Sequence, residues 1–187
     1  MTTLRQYLDA DWARFRELAE LPASARSLAA CLTPRLAPVM LIRVAQTLHS
    51  CNWKRCAKFA SLINFVVFGL EVPASLKIDP GLVIMHTHGT VLGASRIGSN
   101  VTIYQQVTLG ARTFDFAYTP ALRPVVEDHV TITAGAKVLG ALTLGRHCVV
   151  GANAVVLADV PPHALAVGVP ARVIKRTESV PHQERDK

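Results

Sequence analysis

The sequence has few cysteines, and their arrangement resembles neither a metal site nor a disulfide framework. Four occur in 187 residues, and no two of them form a Cys-x-x-Cys pair or lie at zinc-ligand spacing from a histidine. Neither a structural zinc nor a disulfide-stapled secreted domain is therefore predicted, and no other metal is implied. The simplest interpretation is a protein with reduced thiols, which predicts a cytoplasmic location.

The sequence also lacks a hydrophobic run long enough to cross a membrane. Its most apolar stretch, residues 59–70, is 12 residues long, whereas a membrane-spanning helix needs about 20. The N-terminus lacks the basic-then-apolar order of a secretion signal, because Asp9, Asp11, Glu17 and Glu20 follow it closely. We expect no export and no membrane span, with 59–70 forming a buried or interfacial helix.

Aromatic residues make up only 6% of the chain, and they do not alternate with basic residues as they do on many nucleic-acid-binding surfaces. The formal net charge is nevertheless +7, from 20 Lys and Arg against 13 Asp and Glu. We therefore expect no nucleic-acid partner, and we attribute part of the charge to a phosphate-bearing cofactor.

What the sequence does contain is a repeat of six residues. Aliphatic residues recur in steps of six within three runs, at Val72, Ile78, Ile84, at Val91, Ile97, Ile103, Leu109, and at Val126, Ile132, Val138, Leu144, Val150, Val156. In most hexads a second small or apolar residue follows four places later, as at Leu76, Leu82, Val101, Val107, Val130, Ala136, Leu142, Cys148, Ala154 and Val160. Period six fits short strands joined by turns, and such units must coil and stack to bury their apolar faces.

Two irregularities interrupt the repeat, and insertions in a solenoid are common places for function. The step from Ile84 to Val91 is seven residues, which places one extra residue in the His86–Gly89 segment. The step from Leu109 to Val126 is seventeen, which ejects a loop at about 110–125.

The first 70 residues have no hexads and instead show helical spacing. Leu4, Leu8, Trp12 and Phe15 predict one helix, and the segments 41–48 and 59–68 predict two more. Pro34 and Pro38 are expected to break the stretch between the first two. The predicted organisation is a helical region at 1–70, a repeat domain at 71–176 and a flexible tail at 177–187.

The ordered hexads resemble those of the hexapeptide-repeat acyltransferases, and within that group the serine acetyltransferases and their shorter relatives. The resemblance runs from about residue 41 to 176. It rests on VTIYQQVTLG at 101–110, AGAKVLG at 134–140, VGANAVV at 150–156 and VPPHA with VGVPAR at 160–172. It implies a left-handed parallel β-helix, three hexads to a coil, and acetyl transfer from acetyl-coenzyme A (acetyl-CoA) to a hydroxyl. General rules of chain connection would not supply that handedness.

His86 matches the catalytic histidine of this family, which precedes a Gly-x-Val pattern, here residues 89–91. A hydroxyl is a weak nucleophile at neutral pH, so a base with a pKa near that pH is required. The resemblance places a carboxylate fifteen residues earlier, and Glu71 stands there as the predicted orienting group. The alternatives are that Glu71 only caps the junction and that Asp79 orients the base. His88 has no family counterpart and is interpreted as a turn residue.

Two departures from the family concern the acceptor. The family's aspartate before the catalytic histidine is Met85 here. The family's Arg-His-Pro in the ejected loop is replaced by residues 122–124, Leu-Arg-Pro, of which Arg123 could still bind a carboxylate. An acid at Asp9 or Asp11 could substitute for the lost one. The first hypothesis is a serine O-acetyltransferase, the second a sugar O-acetyltransferase of exopolysaccharide or glycan synthesis, and the third a non-catalytic β-helix.

The resemblance also implies a homotrimer, or a dimer of trimers, with coenzyme A in the groove between subunits. Small residues in that groove let the pantetheine arm approach the backbone, and basic residues meet the phosphates. The positions that match are Gly110, Ala111, Ala134, Ala152, Arg172, Lys175 and Arg176.

Overall fold

The computed structural model describes residues 3–27 and 29–175. Three α-helices come first: α1 at Leu4–Leu18, α2 at Ala37–Ser50 and α3 at Lys54–Phe68, with a 3-10 turn at Ala29–Leu32. Thr3 and Gln6 form a capping box that starts α1. Gly69 ends α3 in the left-handed conformation (φ 61°), which glycine adopts at little cost.

Pro38 corrects one prediction from the sequence. It was expected to break the chain between helices, but it lies in the first turn of α2. The N–H groups of a first turn have no intrahelical acceptor, so proline loses no hydrogen bond there. The helix therefore begins four residues earlier than the predicted 41.

Fifteen short strands follow within the described residues, and all but the last neighbouring pair run parallel. Sheet 1 contains β1 (Leu70–Glu71), β4 (Thr90–Leu92), β7 (Thr108–Gly110), β10 (Lys137–Leu139) and β13 (Val155–Val156). Sheet 2 contains β2 (Lys77–Ile78), β5 (Arg96–Ile97), β8 (Val125–Val126) and β11 (Thr143–Leu144). Sheet 3 contains β3 (Val83–Ile84), β6 (Thr102–Ile103), β9 (Thr131–Ile132), β12 (Val149–Val150), β14 (Ala164–Val167) and β15 (Arg172–Lys175). From β1 to β13 successive strands visit sheets 1, 2 and 3 in turn, so each coil is a triangle, and β14 and β15 end the chain of strands in sheet 3.

The repeat positions form the core of this prism. Nearly all of the predicted aliphatic residues are buried, and so is every member of the second set four places later. Val91 is the exception: the strand Thr90–Leu92 turns Leu92 inward and leaves Val91 half-buried. Leu92 pairs in register with the buried Leu109, so the step from Ile84 to the inward residue is eight rather than seven, and the segment before this strand holds two extra residues.

A buried ion pair joins the helices to the first coil. Arg43 of α2 donates two hydrogen bonds of 2.9 Å to Asp11 of α1, and it also donates to the carbonyls of Ile78 and Asp79. Oδ1 of Asp11 in turn accepts from the backbone N–H groups at 81 and 82. These hydrogen bonds offset the desolvation of both charges and fix α1 against the corner that precedes β3.

Among the described residues, no helix combines the length and the apolar character needed to cross a membrane.

Candidate active site

His86 lies at the corner where the chain passes from sheet 3 into sheet 1. Strands β3, β6, β9 and β12 pair in a constant register, so the residues two positions after each strand stack on one another. These residues are His86, Gln105, Ala134 and Ala152, and we call them the His86 corner. The structure thus brings the predicted base and two predicted coenzyme A positions onto one corner of the prism.

A cavity of about 850 Å³ opens beside His86, between the corner and the helical region. Its lining comes from α1, from the segment before α2 and from the first two crossings of the corner. The residues are Trp12, Phe15, Thr33, Pro34, Arg35, Met85, His86, Thr87, His88 and Gln105. The predicted base, His86, therefore lines a space large enough for an acceptor molecule.

The predicted orienting carboxylate does not contact His86 in this structure. Glu71 is exposed at the end of the first strand of sheet 1, beside Val91, and no hydrogen bond joins it to His86. The fallback residue Asp79 forms an ion pair with Arg96 at 2.5 Å, on a different corner. The role of Glu71 stays a prediction.

His88 and His86 are two residues apart but have different surroundings. The ring Nδ1 of His88 lies 3.1 Å from the carbonyl oxygen of Phe68, the last residue of α3. His88 is thus attached to the helix end, as expected for a turn residue with a satisfied ring nitrogen.

In the ejected loop, between β7 and β8, Arg123 is positioned mainly by contacts with other residues of the loop. The guanidinium donates to Asp115 (Nε to Oδ2, 3.0 Å) and to the Gly93 carbonyl, and it lies 3.8 Å from the ring centroid of Tyr118. Burial alone would raise the pKa of Asp115, but hydrogen bonds from Thr119 and Arg123 lower it below its ordinary value. In the single chain Arg123 therefore does not line the cavity, and its predicted contact with the acceptor stays untested.

The predicted replacement acids are also engaged elsewhere. Asp11 is buried against Arg43, and Asp9 pairs with Arg26 at 3.0 Å. Met85 is half-buried in the cavity wall, and the lining contains no aspartate or glutamate among the described residues. An acceptor ammonium group would meet no carboxylate in this cavity.

Sequence reasoning missed four cavity residues. Trp12 and Phe15 stack at 5.8 Å, and the Arg35 guanidinium lies 5.9 Å from the Phe15 ring centroid, so the cavity has an aromatic wall with a cation at its rim. Gln105 Oε1 is buried and accepts no hydrogen bond from the described residues. Helical spacing had marked Trp12 and Phe15 only as apolar, and nothing local to Arg35 indicates its contact. The hexad position of Gln105, two residues after Ile103, could have placed it beside His86, which stands two residues after Ile84.

Of the remaining predicted coenzyme A positions, Gly110 and Ala111 lie away from the His86 corner, whereas Arg172 pairs with Val167 next to the last crossing of that corner. Gly110 and Ala111 are half-buried at the opposite side of sheet 1, where the loop leaves, and a Cβ added at Gly110 would meet no atom within 4 Å. Arg172 is exposed at the start of β15 and Lys175 ends that strand. Arg176 lies outside the described residues.

A corner histidine on a coiled sheet of hexads, beside small residues and an open cavity, defines an acyltransferase of the parallel β-helix class. No family model matches the sequence. Individual relatives do: the chain is 36% identical over 171 residues to a serine acetyltransferase of Helicobacter pylori, covering 90% of this chain and 98% of that protein.

Solved structures agree with this relationship. A soybean serine acetyltransferase complexed with serine matches with a TM-score of 0.78 and 32% identity, covering 91% of this chain and 69% of that one. A serine acetyltransferase in complex with CoA matches with a TM-score of 0.74 and 31% identity, covering 90% and 67%. The chain belongs to the serine acetyltransferase family. Its fold is the left-handed β-helix preceded by a helical region, as the resemblance implied.

Proposed function

We propose that this protein transfers the acetyl group of acetyl-CoA to the hydroxyl of L-serine. The observation that carries the proposal is the position of His86, on a corner of small residues and at the mouth of a cavity of about 850 Å³. The family relationship supports the acceptor, since the relatives are named serine acetyltransferases and matched structures contain serine or CoA.

In this proposal His86 acts as the general base. Acetyl-CoA supplies an acyl group already activated as a thioester. Nε2 of His86 takes the proton of the acceptor hydroxyl as that oxygen attacks the thioester carbonyl, so no enzyme nucleophile is needed. The C–S bond then breaks, and the departing CoA thiolate takes the proton from the His86 imidazolium to leave as free CoA. Glu71 is proposed to orient the imidazole after a rearrangement of its exposed side chain. Glu71→Gln should therefore lower kcat, whereas Glu71→Asp, which keeps the carboxylate, should retain it.

Small side chains make the His86 corner suitable for coenzyme A. Ala134 is half-buried and Ala152 is exposed, so the backbone of both crossings can be approached from outside. We propose that these alanines, with Gly110 and Ala111, line the pantetheine path and that Arg172, Lys175 and Arg176 meet the phosphates. We also propose a homotrimer, with a dimer of trimers as the alternative, and a cytoplasmic location in which the free cysteines stay reduced.

Two cations are candidates for the acceptor carboxylate. Arg35 already lines the cavity, whereas Arg123 belongs to the loop that pairs it with Asp115. Gln105 Oε1 is the candidate acceptor for the hydroxyl or ammonium hydrogens, because it is buried with its lone pairs unused by the described residues.

A second candidate function has its own observation. The stacked pair Trp12 and Phe15, together with Met85 in place of an acid, is better suited to a sugar face than to an ammonium group. A sugar O-acetyltransferase acting on a glycan precursor is therefore the alternative, with the same base and the same donor.

The test is kcat/KM for L-serine, L-homoserine and several neutral and acidic sugars, in wild type and in Met85→Asp, Arg35→Gln and Trp12→Ala. For a serine enzyme, Met85→Asp should improve kcat/KM for L-serine by roughly 10- to 100-fold, since an ammonium gains a charge-assisted hydrogen bond. Arg35→Gln should weaken only acceptors that carry a carboxylate. A neutral sugar as the best acceptor, with a selective loss in Trp12→Ala, would establish the alternative instead.

A further inference from the structure

Helix α3 carries its bulky apolar side chains on the outside of the molecule. Its inner face is made of Ala57, Ala60 and Asn64, all buried, and Asn64 donates a hydrogen bond to the Pro38 carbonyl. The outward side chains are between 53% and 71% exposed and are Phe59, Leu62, Phe65, Val66 and Val67. This arrangement is the reverse of an ordinary surface helix, which buries its large apolar residues.

The exposed residues form one continuous surface along the helix. Phe59, Leu62 and Val66 follow one another at spacings of three and four, so they lie on a single stripe, with Phe65 and Val67 on either side. Trp53, the residue before the helix, is also 64% exposed. We call these six residues the α3 patch. Contiguous apolar surface of this kind marks a binding surface.

The charged residues of α3 and of the segment before it are all basic. Between residues 21 and 70 the sequence has no aspartate or glutamate and six basic residues, Arg26, Arg35, Arg43, Lys54, Arg55 and Lys58. The last three lie in the first turns of α3, exposed beside the patch. The partner must therefore accept apolar side chains and provide negative charge next to them.

We propose that the α3 patch docks on an anionic lipid membrane surface, with α3 lying in the plane of the headgroups. The apolar stripe inserts at the boundary of the acyl chains, while Lys54, Arg55 and Lys58 contact anionic headgroups and Trp53 sits at the interface. In α3 the basic residues lie on the outward face at the N-terminal end of the apolar stripe, because Ala57, Ala60 and Asn64 occupy the inner face, so they meet the headgroups at that end of the helix.

A second copy of the chain, paired through the same patch, fits this surface less well. A symmetric pairing of two α3 patches would bring the two sets of basic residues close together, because an isologous contact uses the same surface twice. No acidic residue between 21 and 70 is available to compensate that repulsion.

Vesicle flotation of the full chain tests the proposal. The probes are vesicles of phosphatidylglycerol and phosphatidylcholine at about 3:7 and vesicles of phosphatidylcholine alone, each at low and high salt. We expect binding to the anionic vesicles, with the affinity reduced by salt. Phe59→Ser combined with Val66→Ser should lower the partition coefficient at least tenfold, as two inserted side chains are lost. Replacing Lys54, Arg55 and Lys58 with Gln should lower it by roughly fivefold per charge.

Leu32→Ser is the matched control, because Leu32 is 80% exposed and lies outside α3. It should bind vesicles as the wild type does, and all variants should keep their acetyltransferase activity in solution and their circular dichroism spectrum. Absence of wild-type binding at low salt would overturn the proposal, as would equal binding by the Phe59/Val66 variant. A loss of oligomeric mass in that variant would also overturn it and identify the patch as a contact between copies.

Discussion

Two histidines of the cavity, His86 and His88, differ in whether a ring nitrogen is already engaged. His88 Nδ1 lies against the Phe68 carbonyl, whereas His86 is exposed at the cavity mouth. A general base needs one ring nitrogen directed at the acceptor and free of protein partners. This difference supports His86, which the family motif also indicates.

His86→Ala should lower kcat by at least roughly 10²-fold, the lower end of what a positioned base contributes. His88→Ala is the matched control, since it removes a second cavity imidazole without removing the base, and it should change kcat far less. Both are checked by steady-state kinetics with the best acceptor, with circular dichroism to establish folding. Near-normal turnover in His86→Ala, or an equal loss in His88→Ala, would contradict the assignment.

At the residue scale, the sequence predicted those site residues that belong to local motifs. It missed those that reach the site only through tertiary contacts. His86 and the alanines at 134 and 152 follow from motifs in the hexads, and the register of sheet 3 stacks them. Arg35 and Trp12 come from segments whose position depends on the buried Asp11–Arg43 pair. No periodicity in the helical region specifies that pair, so these residues could not be assigned to the cavity.

The ejected loop contains an ion pair whose structural role and possible role in acceptor binding can be distinguished by mutation. Arg123→Ala and Asp115→Ala each remove one half of the same ion pair. If Arg123 also binds the acceptor, Arg123→Ala should raise KM for L-serine roughly tenfold more than Asp115→Ala, because only the former loses a charge-assisted hydrogen bond to the substrate. Equal KM values in the two variants would show that the ion pair only stabilises the loop. Arg35 would then be the candidate cation for the acceptor carboxylate.

A ladder of three histidines occupies the corner between sheets 2 and 3. The rings of His129 and His147 stack at 4.5 Å and those of His147 and His163 at 5.0 Å, and all three residues have φ near 60°. Desolvation, then the flanking histidines and Arg146, lowers the pKa of His147, while Asp128 acts in the opposite direction. The stack depends on the coil register, which the residue types alone do not specify.

This ladder should make the fold less stable in acid. Because the folded pKa of His147 lies below its unfolded value of about 6.5, the unfolded chain binds more protons once the pH falls through that value. Stability is thus complete above the unfolded pKa and decreases below it. The thermal midpoint should fall between about pH 8 and about pH 5, and fall less in His147→Asn, since asparagine tolerates the positive φ without a charge. Identical pH profiles for the two proteins would exclude the ladder as the cause.

For the whole molecule, the hexad pattern predicted the solenoid and most of its core, because period six is repeated often enough to specify which side chains point inward. It was wrong at Val91, because the segment after Ile84 holds two extra residues rather than one and Leu92 points inward instead. It could not supply handedness, which came from the resemblance. The helical region was predicted as three helices, with 59–70 as a buried or interfacial helix, and in the single chain the large apolar side chains of that segment face outward. Helical spacing identifies an apolar face without indicating whether protein covers it.

The last prediction concerns assembly and follows from where the coenzyme A positions lie. His86, Ala134 and Ala152 share one corner of sheet 1, whereas Gly110 and Ala111 lie at its other side. A single pantetheine arm that contacts both sets must therefore lie between two chains, each contributing one corner. Multi-angle light scattering should give three or six times the chain mass of 20.2 kDa. A second inactive variant, Gly110→Trp, places a bulky side chain at the other corner. Mixed oligomers of His86→Ala and Gly110→Trp should recover part of the activity, because some grooves between subunits then combine an intact His86 with an intact Gly110. A fully active monomer, or no recovery in mixed oligomers shown to form, would contradict the shared groove.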